Sequence, residues 1–439
     1  LTQLWNRNQK IIETLQNNGY PQAKVKLDHF AFYPDSITAF LNIEKGPHYV
    51  FDKLAIKGDL QVSKSFLAGY TGIKKGQDYS HQKLIDLNQK LNGLGFGMPI
   101  ANPSVNLLVD TVQIELPIKK VSNNRFDGIL GIVPNDKTTG KLLLTGELNI
   151  QLQNIAKQGE QIDLQWHKLQ AASQDLLLNF KIPYLFNTNI GTSTGFKLLK
   201  QDSTYINLLT EFGLQYYFGS RNYIGLTYRY SSSDMLQADS LLAPNSWSYV
   251  SKQYGLSFNY QKLDYPFNPH RGYSIQTNAF IGNKKVLKEP ISTVQQFQFD
   301  YNLQYYWYLS PRSTLLTKHL SSFSEAPLFS VSELSRIGGL KTVRGFNESS
   351  LYTTSYGILS LEYRYIFEKN SALFAFVDAA WFELKGQPYY YNYPLGLGLG
   401  MFFKTKAGIF TLSYAVGRTQ EQNFELKSAK IHFGIIGQF

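Results

Sequence analysis

The chain has 439 residues, room for more than one domain, and a net charge of +11 from 43 basic and 32 acidic residues. It contains no cysteine, which excludes disulfides, thiolate metal sites and a cysteine nucleophile. Charged residues make up only 17% and aromatics 15%, a balance that suits an aromatic-girdled β-barrel better than an average soluble domain.

Residues 1–47 read as helix, strand, strand. Leu4, Ile11, Ile12 and Leu15 fall on one helical face, and Gly19 ends that helix. The stretch from Tyr20 to Val25 starts a strand, 37–43 alternates as another, and a turn follows at 44–47. A second unit, 48–120, reads β-α-α-β-β. It has a strand over 49–56, a short helix over 63–70, and a helix that Ser80 would cap and that carries Leu84, Leu87, Leu91 and Leu94. Gly95 and Gly97 stop that helix, and strands over 105–108 and 111–118 complete the unit. The bland reading is a small α+β domain.

From about Asn124 to the end the period is two. In 296–308, Phe297, Phe299, Tyr301, Leu303, Tyr305 and Trp307 share one face, and Gln296, Gln298, Asp300, Asn302 and Gln304 the other. Tyr254, Leu256, Phe258 and Tyr260 repeat the pattern, as do Ile162, Leu164 and Trp166. Such strands fit a membrane barrel, whose residues alternate between lipid and a wet lumen; this also explains the mean hydropathy of −0.24. No run of 18 apolar residues suggests a transmembrane helix. Tight turns at 219–221, 311–312, 368–370 and 406–408 alternate with longer connections at 235–246 and 386–393, giving about sixteen strands over 124–439.

One loop, 326–351, stands apart. Its 336–346 stretch, Arg-Ile-Gly-Gly-Leu-Lys-Thr-Val-Arg-Gly-Phe, is neither strand nor helix, and holds Arg344 among Gly338, Gly339 and Gly345. Parity on the two strands after it points Glu362 and Asp378 inward. The opposite choice would expose a carboxylate to hydrocarbon, whereas this one leaves Leu361, Tyr363, Tyr365, Leu373, Val377 and Trp381 outside. A loop arginine folded inward could then meet both acids.

Val343, Arg344, Gly345 and Phe346 resemble the VRGY/F motif of the BamA/TamA-type POTRA-barrel superfamily of outer-membrane assembly and translocation proteins. Ser360 and Glu362 match that family's S-x-E strand. Phe376, Asp378 and Ala380 match its F-x-D-x-G pattern with Ala in the last place, and 269–272 resembles its N-P-R-x-G turn. The resemblance implies an all-β transmembrane β-barrel of about 16 antiparallel strands preceded by α+β POTRA modules. Here 48–120 would be the POTRA module next to the barrel and 1–47 the C-terminal part of another. It implies that the loop is tucked into the lumen with Arg344 on an acidic inner wall. It further implies that the start at Leu1, with neither Met nor signal peptide, marks a mature form or fragment with more POTRA modules before it.

Enzyme signatures find no support in their context. Residues 191–195 match G-x-S-x-G, but an alternating strand continues through Ser193 where a nucleophile elbow needs a helix. The 7 histidines show no metal-ligand spacing, and no nucleic-acid module accompanies the positive charge, for which anionic lipid headgroups are the more natural partner. The resemblance implies no cofactor. It implies assembly or insertion of outer-membrane proteins in a Gram-negative envelope, with the POTRA region in the periplasm. Expected partners are unfolded outer-membrane clients, periplasmic or lipoprotein subunits, and membrane lipids. The first strand, 125–133, would meet the last, 430–439, at a seam weakened by Gly128, Gly131, Gly434 and Gly437 and ending on Phe439. The alternatives are a two-partner secretion transporter, exporting a polypeptide through the lumen, and a passive pore.

Overall fold

The computed structural model describes residues 2–121, 124–134, 142–168, 173–201, 204–236, 247–265, 268–287, 290, 292–386, 388–405 and 408–436. It divides the chain into an N-terminal unit and a larger second unit at about residue 122.

The N-terminal unit opens with the helix Thr2–Asn17 and the hairpin Lys24–Phe32 with Ile37–Glu44. Gly19 comes after the helix in a left-handed conformation (φ 93°). A mixed sheet then forms around Thr111–Lys120, which pairs in parallel with Val50–Lys57 and antiparallel with Ser104–Leu107 and with a short strand Gly97–Pro99. The helices Lys64–Thr71 and His81–Asn92 contribute to its core, where Phe51, Phe66, Leu87, Leu91, Val112, Ile114 and Leu116 are buried. The short strand lies where the sequence suggests only a helix stop, because Gly97 packs its backbone against Leu94, Leu60 and Ile118, a space that a side chain would fill.

Ser80 immediately precedes the helix His81–Asn92, but its hydroxyl donates to Asn17 Oδ1 at 3.0 Å, and the same oxygen accepts the Gln82 amide at 2.8 Å. Asn17, distant in sequence, thus satisfies a first-turn donor of that helix and ties residues 1–47 to it.

The second unit is a closed antiparallel barrel. Among the described residues seventeen strand segments form it, and two of them, Tyr390–Asn392 and Leu395–Thr405, both pair with Ser371–Leu384, so the barrel has sixteen staves. The run 386–393 is therefore not all loop. Tyr390–Asn392 extends the ladder, and Pro394 interrupts it for lack of an amide while its carbonyl still accepts from Ala380. The expected long connection at 235–246 lies outside the described residues beyond Leu236. Ser193 lies within the strand Ile190–Gln201, where its hydroxyl accepts from Gln215.

Alternation decides which residues see the interior. On Ser355–Glu368, Ser360 and Glu362 are buried while Leu359, Leu361, Tyr363 and Tyr365 are exposed. On Ser371–Leu384, Phe374, Phe376, Asp378, Ala380 and Phe382 are buried and Leu373, Ala375, Val377 and Ala379 exposed. No helix among the described residues is long and apolar enough to cross a membrane, which says nothing about crossing by strands. Replacing the shared cap, Asn17→Ala, is expected to cost about 1 kcal/mol. Hydrogen exchange should show this as faster exchange at Gln82, with barrel amides unchanged.

Candidate functional site

A barrel of sixteen strands is wide enough to leave open space inside. Here the connection between the strands Ser313–Glu325 and Ser355–Glu368 folds into that space. It begins as a hairpin, Ser335–Ile337 against Leu351–Thr353, and closes in a compact tip. Within the tip Gly339 N–H donates to the Val343 carbonyl, Gly338 N–H to Thr342 Oγ1 and Leu340 N–H to Glu348. Gly345 has φ 95°, a conformation that costs a residue with a side chain, and this turn aims Arg344 and Phe346 at the wall.

Arg344 is only 8% exposed, Glu362 6% and Asp378 fully buried. Arg344 Nε and Nη2 donate to the two oxygens of Asp378 at 2.8 and 2.7 Å, a planar two-pronged contact. Its backbone N–H donates to the same carboxylate at 3.0 Å. Nη1 donates to Glu362 Oε2 at 2.5 Å, and the other Glu362 oxygen accepts from Arg364 Nε at 2.8 Å. Two arginines and two carboxylates balance in charge. The guanidinium also lies over the Phe376 ring, 3.4 Å from its centroid. On either side of the arginine, Val343 and Phe346 join an apolar cluster with Ile337, Ile358, Ala380 and Phe382.

Glycines on the wall let the loop come this close. A Cβ at Gly396 would overlap the Arg344 carbonyl, and one at Gly417 would press on the Gly345 carbonyl and the Phe346 ring. The strand Leu395–Thr405 carries glycine at 396, 398 and 400, alternate positions on one face, and the Phe374 and Phe376 rings occupy the space left at 400 and 398.

The structure thus brings Val343, Arg344, Gly345, Phe346, Glu362 and Asp378 into one site. The residues expected at the seam are partly apart from it. Gly128 and Gly131 sit on the first strand, Arg125–Pro134, which neighbours the last, Lys430–Ile436, in the closed barrel. Gly434 is on that last strand, where it makes room for Leu340 of the loop. Gly437 and Phe439 lie outside the described residues.

Several members of the site carry no motif that marks them in the sequence. His432 on the last strand accepts the Gly345 N–H through Nε2 at 3.1 Å. Lys318 Nζ donates to the Lys341 carbonyl. Away from the tip, the buried Lys284 ammonium meets both oxygens of Glu333 at 2.8 and 3.0 Å and the Leu328 carbonyl at 2.6 Å, and Arg336 donates to Tyr205. Alternate glycines after residue 395 and the inward parity of Lys284 are the signals that could have found this part of the site.

A profile of the Omp85 superfamily domain matches residues 154–439. The chain belongs to the Omp85 superfamily. Its fold is similar to BamA from Haemophilus ducreyi lacking POTRA domains 1–3 (16% identity, TM-score 0.54, 100% of this chain and 93% of that one). It is also similar to CdiB from Escherichia coli (14%, 0.59, 99% and 83%) and CdiB from Acinetobacter baumannii (14%, 0.57, 95% and 77%). No curated protein matches in sequence. Omp85 barrel relatives are outer-membrane proteins, and members of the superfamily are non-enzymatic assembly and transport proteins.

Removing one partner from the buried cluster leaves the other charge unpaired, at a cost of about 3–5 kcal/mol. Arg344→Ala and Asp378→Asn should each free the loop to added protease, and Arg344→Lys should restore only part of the protection because an ammonium cannot make the planar contact. In a double-mutant cycle on stability the two losses should be less than additive; strict additivity would mean that the residues do not act as a pair. Gly396→Val should release the loop in the same protease assay without removing any charge.

Proposed function

We propose that this Omp85 protein lies in the bacterial outer membrane and assembles or inserts outer-membrane proteins, working at the seam between its first and last strands. The observation that carries this reading is the pinned loop. Arg344, Lys318 and Lys284 hold it at three places inside the barrel, so passage of a polypeptide through the lumen would first require breaking buried ion pairs. The seam asks for less. Parting the first and last strands breaks a ladder of backbone hydrogen bonds, and the edge groups of a parted pair offer a ladder to an incoming strand. Chemistry of bond making or breaking is not needed; a client strand exchanges hydrogen bonds with water for hydrogen bonds with an edge.

In this reading residues 1–47 and 48–120 are a partial and a complete POTRA module in the periplasm. The strand and helix order of 48–120 supports that, as does the likeness to a BamA chain lacking POTRA domains 1–3 along 93% of its length. Clients would be unfolded outer-membrane proteins, with periplasmic or lipoprotein subunits as helpers.

The likeness to CdiB favours a second reading, export of a polypeptide partner through the lumen, which requires the loop to leave it. Two cross-links separate the readings. An oxidised cysteine pair joining the first and last strands, chosen within 127–131 and 431–435, should stop assembly of a β-barrel client. A pair joining the loop to the wall, at Val343 and Ile358 of the apolar cluster, should leave it running. Normal client assembly with the seam locked, and failure with the loop locked, would reverse the assignment.

A further inference from the structure

The outward face of three neighbouring strands, Tyr249–Leu263, Gly272–Val286 and Ser292–Ser310, changes character within one step. Cross-strand register aligns Tyr254, Ile281 and Phe297 in one row. Successive rows down the strands are Leu256–Ala279–Phe299, Phe258–Thr277–Tyr301 and Tyr260–Ile275–Leu303, and then Lys262–Tyr273–Tyr305. From Tyr254 to Lys262 the strand advances about 27 Å, or about 21 Å along the barrel axis after a tilt of roughly 40°. That is close to the height of about 25 Å of the apolar band on outer-membrane barrels, with aromatic girdles at its edges.

The next row beyond Tyr254 is Lys252–Asn283–Gln295, and the one after it Val250–Lys285–Thr293. All but Val250 are exposed. Lys252 and Lys285 stand on a diagonal of adjacent strands, a spacing at which their ammonium groups can close on one anion. Neither has a carboxylate partner among the described residues, and Asp234, the outward acid on the neighbouring strand Tyr223–Met235, is one row farther out than Lys285. Together these side chains line a groove of about 550 Å³ whose apolar floor continues into Tyr254 and Ile281. The groove is at the end of the barrel from which the docked loop departs, since Phe297 pairs with Glu325.

We propose that this groove binds the phosphate-bearing headgroup of an anionic lipid, with Lys252 and Lys285 as the cations, Asn283, Gln295 and Thr293 as further donors, and the acyl chains lying along the Tyr254 and Ile281 side. The proposal rests on the membrane placement given above. A lipid is the occupant, rather than free phosphate, because the cations sit on the outer wall where the apolar band stops, and a lysine stem lies readily along apolar surface while its ammonium reaches the headgroup level. Each lysine near an anionic surface is worth about fivefold in affinity.

The test uses the full chain reconstituted in phosphatidylcholine bilayers containing a minor fraction of phosphatidylglycerol. Lipid retained after detergent extraction is read by native mass spectrometry. The wild-type protein should retain phosphatidylglycerol above its share of the bilayer, the double variant Lys252→Gln/Lys285→Gln should retain roughly tenfold less or lower still, and Lys252→Arg/Lys285→Arg should keep the preference. Heat-modifiable migration confirms that each variant is a folded barrel, and a Gln pair that does not fold is replaced by Lys252→Gln or Lys285→Gln alone, expected to lose about fivefold. Equal retention by wild-type and Gln proteins would overturn the proposal. Loss of the preference on adding inorganic phosphate at the concentration of the anionic lipid would also overturn it, by assigning the lysines to a free anion. A protein that does not insert into bilayers at all would overturn the membrane placement as well, whereas insertion without lipid preference would overturn the headgroup site alone.

Discussion

A guanidinium withdrawn from water is the constraint on which the barrel interior depends. Desolvating the ion costs several kcal/mol, and only well-placed opposite charges with good hydrogen-bond geometry offset that. Asp378 supplies both oxygens to the arginine fork and takes the backbone N–H of the same residue, and Glu362 takes the remaining prong while sharing its charge with Arg364. The contact therefore fixes the loop backbone as well as one side chain. It can form only if the backbone at 344–345 lies almost on the wall, and glycine at 396 and 417 allows that approach. The alternate glycines, the Phe376 ring and the left-handed turn at Gly345 are all conditions for one ion cluster.

The rest of the loop is secured differently. Lys284 and Glu333 form a second buried pair well away from the tip, and a capping box at Ser330 and Glu333 holds the carboxylate that receives the lysine. A cavity of about 540 Å³, lined in part by Asn207, Arg229, Gln253, Gln298 and Arg336, remains beside it. At its tip the loop touches the last strand, through the hydrogen bond from Gly345 to His432 and the packing of Leu340 on Gly434. The loop tip and the last strand thus share one set of contacts.

Much of this was legible in the sequence because the barrel imposes a strict period of two. Once Leu361 and Leu373 are placed outside, Glu362 and Phe374 have nowhere to go but in, and the sixteen staves emerge from counting alternating runs. What the sequence hid depends on pairing between distant strands. Nothing near residue 432 announces that its imidazole meets an amide 87 positions away. Lys284 lies in an unremarkable Asn-Lys-Lys-Val run, and although parity points it inward and Lys285 out, nothing in that run shows that it meets Glu333 of the distant loop. Tyr390, Tyr391 and Asn392 resemble a polar loop until their ladder with Leu384, Glu383 and Phe382 is known. Asn17 caps a helix that begins 64 residues later, a tertiary fact that local capping rules assign to Ser80.

The central claim is that the loop tip is docked on the wall through its backbone as well as its side chain. Hydrogen–deuterium exchange of the folded protein in bilayers measures this directly at residues 343–346. The Arg344 amide donates to Asp378 and the Gly345 amide to His432, so both should exchange as slowly as amides in the neighbouring strands and speed up in Asp378→Asn. Exchange at these two amides as rapid as that of an unbonded amide in a solvent-exposed turn would contradict the account.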